Sequence, residues 1–296
     1  MYYFINDYSE GAHPRILDAL CRTNLTQTPG YGTDAYCEEA RQLILARLDC
    51  PHSAVHFLTG GTQVNMTLIA AALRPHQGAI SAVTGHINVH ESGAVESTGH
   101  KVLTIPTDDG RITAEAVEAL VAGHYADPTA EHMVQPGLVY ISNPTEVGTL
   151  YTRAELAAIR QVCQRYDMRL YVDGARLGCA LTAQGNDITL QDLAALTDAF
   201  TIGGTKMGAL FGEALVINDP SLNKDFRYIL KQKGGMLAKG RLLGIQFAEL
   251  FRDGLYESLS SHANEQAARL RAGVRALGYG FLAESSTNQS FPILPN

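Results

Sequence analysis

The chain has 296 residues, 46% hydrophobic and 18% charged, with a formal net charge of −7. That is enough apolar material for a large core, and the scattered Lys and Arg residues form no basic stripe, so nucleic acid is excluded as a partner and a small molecule is favoured. Five cysteines without a CxxC pair argue against a disulfide framework or a zinc site, and no run approaches the ~18 apolar residues that suggest a membrane span.

The amino end, MYYFINDYSEG, carries no basic start followed by an apolar run, so a soluble cytoplasmic protein with reduced thiols and no membrane partner is expected. From about residue 35 onward, apolar runs alternate with amphipathic helical patterns, the sign of βαβ units and a largely parallel sheet. The strand candidates are AVHFLT (54–59), GAISAVT (78–84), KVLTIP (101–106), GLVYISN (137–143), RLYVDGA (169–175), AFTIGG (199–204) and EALVIN (213–218). Helical windows lie between them at 62–74, 114–123, 152–166 and 190–199, several opening on Thr with an acidic residue in the first turn. The architecture predicted is α/β with a seven-stranded, mainly parallel sheet.

Beyond residue 220 the pattern changes to long helices over 237–253 and 256–278, followed by the polar stretch AESSTNQSFPILPN. This reads as a large domain over 1–253 and a smaller, partial α+β domain over 254–296, with FPILPN as its first strand. There is no internal repeat and no low-complexity tract.

Two strand-like runs end on single charged residues: YVDGARLG (171–178) on Asp173, and FTIGGTKMGALFG (200–212) on Lys206. Strand ends of open α/β sheets are where ligands bind. Lys206, set among Gly203, Gly204, Thr205 and Gly208, is either a solvated loop lysine or a desolvated amine able to form a Schiff base. Asp173 either caps the following helix or faces a cation such as a pyridinium nitrogen. Arg176 is able to pair with Asp173 or to hold a substrate carboxylate in a fork. In FLTGGTQVN (57–65) a strand runs into Gly60, Gly61 and Thr62 at a helix start, which is a tight turn or a phosphate cradle. It lacks the lysine of a P-loop and the spacing of a dinucleotide site. TGHINVHESGAVESTGH (84–100) holds His86, His90 and His100, but no HExxH or third ligand supports a metal, and none is expected. A ring at His86, just past a strand, is placed to stack on a planar cofactor.

Taken in order, YGTD (31–34), FLTGGTQVN, TGHINVHESGA, ISNPTEVGTLY (141–151), YVDGARLG and GGTKMGALFGEAL resemble the threonine aldolase and beta-eliminating lyase branch of the fold type I, aspartate-aminotransferase-like pyridoxal phosphate enzymes. The resemblance spans nearly the whole chain and implies a three-layer large domain. It also implies that Lys206 binds pyridoxal 5'-phosphate as a Schiff base, that Asp173 pairs with the ring nitrogen, that Gly60, Gly61 and Thr62 hold the phosphate, and that His86 stacks over the ring. By the same resemblance Arg176 and Ser9 meet the substrate carboxylate, and His132 lies near the substrate hydroxyl. The base that removes the hydroxyl proton is His86, His132 or a water. The implied reaction is retro-aldol cleavage of L-threonine, L-allo-threonine or a related β-hydroxy-α-amino acid to glycine and an aldehyde. Alternatives are a related β-eliminating lyase, a phenylserine-type aldolase, a weakly active cofactor-binding protein, or a nucleotide-binding α/β domain. Members of this family continue past the point where this chain stops, and their small domain adds an arginine that has no counterpart here. The segment KQKGGMLAKGR (231–241) has Leu237 where arginine is common, with Lys231, Lys233, Lys239 and Arg241 nearby. In a homodimer or homotetramer with sites at the dimer interface, this loop would reach a neighbouring subunit's phosphate.

Overall fold

The computed structural model describes residues 3–295. All seven expected strands form: β1 (Ala54–Leu58), β2 (Gln77–Ala82), β3 (Val102–Ile105), β4 (Gln135–Ser142), β5 (Arg169–Asp173), β6 (Ala199–Gly203) and β7 (Glu213–Ile217). They make one sheet in the order β1-β7-β6-β5-β4-β2-β3. β7 runs antiparallel to both β1 and β6, and the remaining pairings are parallel. The helices of the first half are α1 (Pro14–Thr23), α2 (Ala35–Leu45), α3 (Gly61–Ala72), α4 (His86–Val89), α5 (Ala114–Ala126) and α6 (Arg153–Arg165). Those of the second half are α7 (Leu177–Leu181), α8 (Leu190–Leu196), α9 (Pro220–Asn223), α10 (Phe226–Gln232), α11 (Arg241–Phe251) and α12 (Leu255–Ala276).

The strands read as nearly continuous apolar runs because both faces of the sheet are covered. Successive side chains alternate between two cores. Val139, Ile141, Leu170, Val172, Ala214 and Val216 pack with residues of α2, α5, α6, α8 and α11. Leu138, Tyr140, Tyr171, Leu215 and Ile217 pack on the other side with Val64, Leu68 and Ile69 of α3 and with α10. The result is three layers. Each such buried aliphatic side chain contributes about 1.5–3 kcal/mol relative to exposure, and this burial is what selects the register.

The Thr signals act as read for α5, α6 and α8: Thr113, Thr152 and Thr189 cap their helices, the last two in full capping boxes with Glu155 and Asp192. The third helix differs. It starts at Gly61 rather than Thr62, and its N-cap is Gly60, which supplies no side-chain hydrogen bond.

α11 ends at a turn in which Asp253 and Gly254 both have positive φ, 58° and 69°. α12 then lies on α7: the Tyr256 hydroxyl accepts the Gly178 N–H at 3.0 Å, and Asn264 Nδ2 donates to the Cys179 carbonyl at 2.9 Å. The expectation of a strand at FPILPN is corrected, since the described part of that segment makes only an isolated bridge between Phe281 and Pro292. The tail is held to α12 by Arg271, which donates to the Thr287 carbonyl at 2.7 Å, and it reaches the turn after β4, where Gln289 Nε2 donates to the Glu146 carbonyl at 3.1 Å. No helix among the described residues is long and apolar enough to cross a membrane.

Candidate active site

The turns after β1, β5 and β6 leave the sheet at one edge, because β7 reverses direction between β6 and β1. There they enclose a cavity of ≈ 230 Å³ lined by Gly60, Gly61, Thr62, His86, Asp173, Arg176 and Lys206, among others. Apart from Ser9 and His132, the residues to which the resemblance assigned cofactor or substrate roles therefore converge on one site.

Asp173 ends β5 and is buried, with 5% exposure. Its Oδ1 accepts the Ala175 N–H at 3.0 Å, the local turn contact that an isolated Asp commonly makes. Its Oδ2 accepts from Asn65 Nδ2 at 3.0 Å and from the Tyr140 hydroxyl at 2.7 Å. Asn65 is itself oriented by the Tyr171 hydroxyl, which donates to its Oδ1 at 2.7 Å, and its amide also donates to Glu91 Oε1 at 2.7 Å. Glu91 Oε1 lies 2.7 Å from His86 Nδ1. That hydrogen bond raises the imidazole's ionisation against the opposing effect of burial, and the charges of Asp173 and Glu91 act in the same direction. A carboxylate acceptor on Nδ1 leaves Nε2 as the free ring nitrogen. The sequence reading missed both Asn65 and Glu91. Each stands in a quoted motif, but neither is marked until the helix start and the strand end come together.

Burial is also the main force on Lys206, and it lowers the amine's ionisation, aided by the charge of Arg176. Two further carboxyls were not foreseen. Glu146 Oε1 accepts the His86 N–H at 2.9 Å and the Ser142 hydroxyl at 2.6 Å, and burial pushes its ionisation up. Glu213, 3% exposed, is pushed up to about 8 by burial.

Arg176 does not pair with Asp173. Its Nε and Nη2 grip Asp7 at 2.5 and 3.1 Å, which leaves Nη1 uncommitted. Burial opposes the ionisation of Asp7, but the hydrogen bond and charge of Arg176 outweigh it and hold the carboxyl below its ordinary range. Asn288 Nδ2, from the carboxyl-terminal tail, donates to the same Asp7 at 2.9 Å.

Two expectations are corrected. Ser9 is exposed and its hydroxyl turns to Asn6 Oδ1 at 2.8 Å, so on the N-terminal segment it is Asp7 that reaches the site. His132 is exposed in a short turn of 3-10 helix ahead of β4. The site lies past the other end of that strand, whose 8 residues span roughly 25 Å at about 3.3 Å each. The loop after α10 packs beside the first turn of α3 in its own chain, where Gln63 Nε2 donates to the Lys233 carbonyl at 3.3 Å.

The residues present suit pyridoxal 5'-phosphate. The first intrahelical bond of α3 runs from Val64 N–H to the Gly60 carbonyl at 3.1 Å, and no side chain caps the N–H groups before it. A Cβ at Gly60 or Gly61 would meet nothing within 4 Å, so an anion can approach this backbone closely. Asp173 offers a desolvated carboxylate to a ring nitrogen, and Lys206 an amine in the same cavity. Among the described residues no cluster of three His, Cys, Asp or Glu is placed to hold a metal.

Residues 12–294 match the beta-eliminating lyase family. The low-specificity L-threonine aldolase of Pseudomonas aeruginosa is 30% identical over 273 residues, covering 91% of this chain and 77% of the relative. A solved threonine aldolase from Leishmania major superposes with a TM-score of 0.97 at 49% identity, covering 100% of this chain and 85% of the other. An aspartate aminotransferase from Thermus thermophilus shares the fold, with a TM-score of 0.71 at 13% identity over 95% of this chain and 73% of the other. The chain belongs to the beta-eliminating lyase family, and low-specificity threonine aldolases are among its relatives.

Proposed function

We propose that the protein is a pyridoxal 5'-phosphate-dependent aldehyde-lyase that cleaves L-threonine, L-allo-threonine or a related β-hydroxy-α-amino acid to glycine and an aldehyde. The observation that carries this reading is the buried chain of hydrogen bonds Asp173–Asn65–Glu91–His86, which ends in a cavity that also contains Lys206. When bound, the cofactor supplies an electron sink for the pair released from the Cα–Cβ bond. The first turn of α3 holds its phosphate, and Asp173 keeps a proton on its ring nitrogen. Lys206, whose ammonium form burial disfavours, is the point of attachment.

The free Nη1 edge of Arg176 binds the substrate carboxylate while Asp7 fixes the guanidinium from its other edge. His86 Nε2 accepts the β-hydroxyl proton, and Glu91 stabilises the imidazolium that results. The test is release of glycine and acetaldehyde from L-threonine and L-allo-threonine by the protein with added pyridoxal 5'-phosphate, beside Lys206→Ala. Release should fall by roughly 10³-fold or more in the variant. A wild-type protein that takes up the cofactor but yields neither product from either substrate sinks the aldolase reading.

A further inference from the structure

Glu213 has no part in the chemistry above, yet it stands at the centre of the site. It opens β7 and is the register partner of both Leu58, the last residue of β1, and Gly203, the last of β6. It therefore sits between the strand that leads into Gly60–Thr62 and the strand that leads to Lys206. Its side-chain direction follows from the pleat: Leu215 and Ile217 pack with Val64, Leu68 and Ile69 of α3, so Glu213 points to the same face, toward the open first turn of that helix. Its carboxyl lines the cavity.

Among the described residues no cation forms an ion pair with it, although the charge of Lys206 acts on it. Of the cations at the cavity, Arg176 is committed to Asp7 and His86 to Glu91. Lys206, in the loop after β6, and Asp173, the last residue of β5, face it with opposite effects on its charge. β1 brings His56, which is committed to Asn223, and α3 carries no titratable side chain. α11 lies across Gly204 and Gly212 through Phe247. Its Arg241 is spent on the carbonyls of Thr23, Asn24 and Thr26, and its Glu249 on Arg15 and Arg252. Glu213 accepts a hydrogen bond from the Thr205 hydroxyl and a long one, 3.3 Å, from the Gly204 N–H; both favour its charged form, and burial outweighs them. A buried carboxyl in such surroundings takes up a proton, in keeping with its ionisation near 8. A protonated carboxyl is a hydrogen-bond donor, whereas a phosphate dianion offers only acceptors.

We propose that Glu213, as a neutral carboxylic acid, donates a hydrogen bond to the cofactor phosphate and completes, with the first turn of α3, the anion site of this enzyme. The inference rests on the cofactor reading above. Its consequence is that the anion site loosens in alkali, when Glu213 ionises and turns from a donor into a repelling charge.

The test uses pyridoxine 5'-phosphate, which has no aldehyde and forms no bond to Lys206, titrated calorimetrically into the apoprotein and into Glu213→Gln at pH 7 and pH 9. Gln keeps a neutral donor of the same size at both values. The two dissociation constants should agree within about two-fold at pH 7, and the wild type should bind about ten-fold more weakly than the variant at pH 9. Glu213→Ala, which lacks the donor, should bind about ten-fold more weakly than wild type at pH 7. The phosphorus resonance of the bound ligand should move with pH in the wild type and stay still in Glu213→Gln. A ratio of wild type to Glu213→Gln that is equal at the two pH values overturns the proposal, as does a Gln variant already ten-fold weaker at pH 7. Absence of binding by every protein at both pH values overturns the cofactor reading itself, and this inference with it.

Discussion

His86 owes its character to Glu91, five positions along the chain, whose carboxylate holds Nδ1 at 2.7 Å and is held in turn by Asn65. The imidazolium is favoured in the folded state, so the pair stabilises the fold fully below the ordinary imidazole value of about 6.5 and loses that contribution as pH rises through the raised folded value. Glu91→Gln removes the largest cause of the shift. The titration of the His86 ring, followed by NMR, should move down, and the acid limb of kcat/KM should move with it. A ring that titrates unchanged in Glu91→Gln would separate Glu91 from the proton chemistry. The histidine itself was legible from its place just past a strand, but its partner was not, because the glutamate is defined as a partner only by the packing of α3 against the sheet.

At the scale of elements, the contrast between capped and uncapped helices carries the functional information. α6 and α8 begin with Thr capping boxes, each contributing about 1 kcal/mol, and these were readable because Thr and its acidic partner lie three residues apart. α3 begins on Gly60 with no side-chain cap, and its free N–H groups open onto the cavity. Gly60 has an extended φ of −174°, which any residue adopts, so Gly60→Ala tests the cradle without straining the backbone. The apoprotein of Gly60→Ala should melt within about 2 °C of wild type, since the new methyl group meets nothing within 4 Å. Its affinity for pyridoxal 5'-phosphate should fall about ten-fold or more, as the methyl occupies space that an anion needs. Unchanged affinity in a calorimetric titration would remove the α3 start from the anion site.

Across the whole molecule, the ends of the chain meet at the site. Asp7 and Asn288, 281 residues apart, are hydrogen-bonded beside Arg176. The same N-terminal segment leaves Phe4 82%, Ile5 84% and Tyr8 58% exposed, an apolar stretch that none of the other described residues covers. Burial of such a stretch against a second copy is the ordinary means of covering it, and it continues directly into a segment that touches the site. Sedimentation should therefore find a dimer or larger assembly, and Phe4→Ser with Ile5→Ser should shift it toward monomer with loss of activity. A wild-type protein that sediments as a fully active monomer would refute this.

The α/β class, all seven strands, the starts of α3, α5, α6, α8 and α12 and the residues at the strand ends were legible in the sequence, because alternation, capping and glycine placement act over a few residues and are written in their order; α1, α2, α4, α7, α9 and α10 were not. The tertiary structure alone decided which of those residues share a site. It joined Asn65 to Asp173 across 108 positions, brought Asp7 to Arg176 in the place expected of Ser9, and left His132 at the far end of β4. It also turned Glu213 from an unremarked strand residue into a buried acid in the same cavity as the first turn of α3. These outcomes depend on strand order and direction, above all on the reversal of β7 between β6 and β1. Strand order is set by the packing of the entire sheet, and no local pattern encodes it.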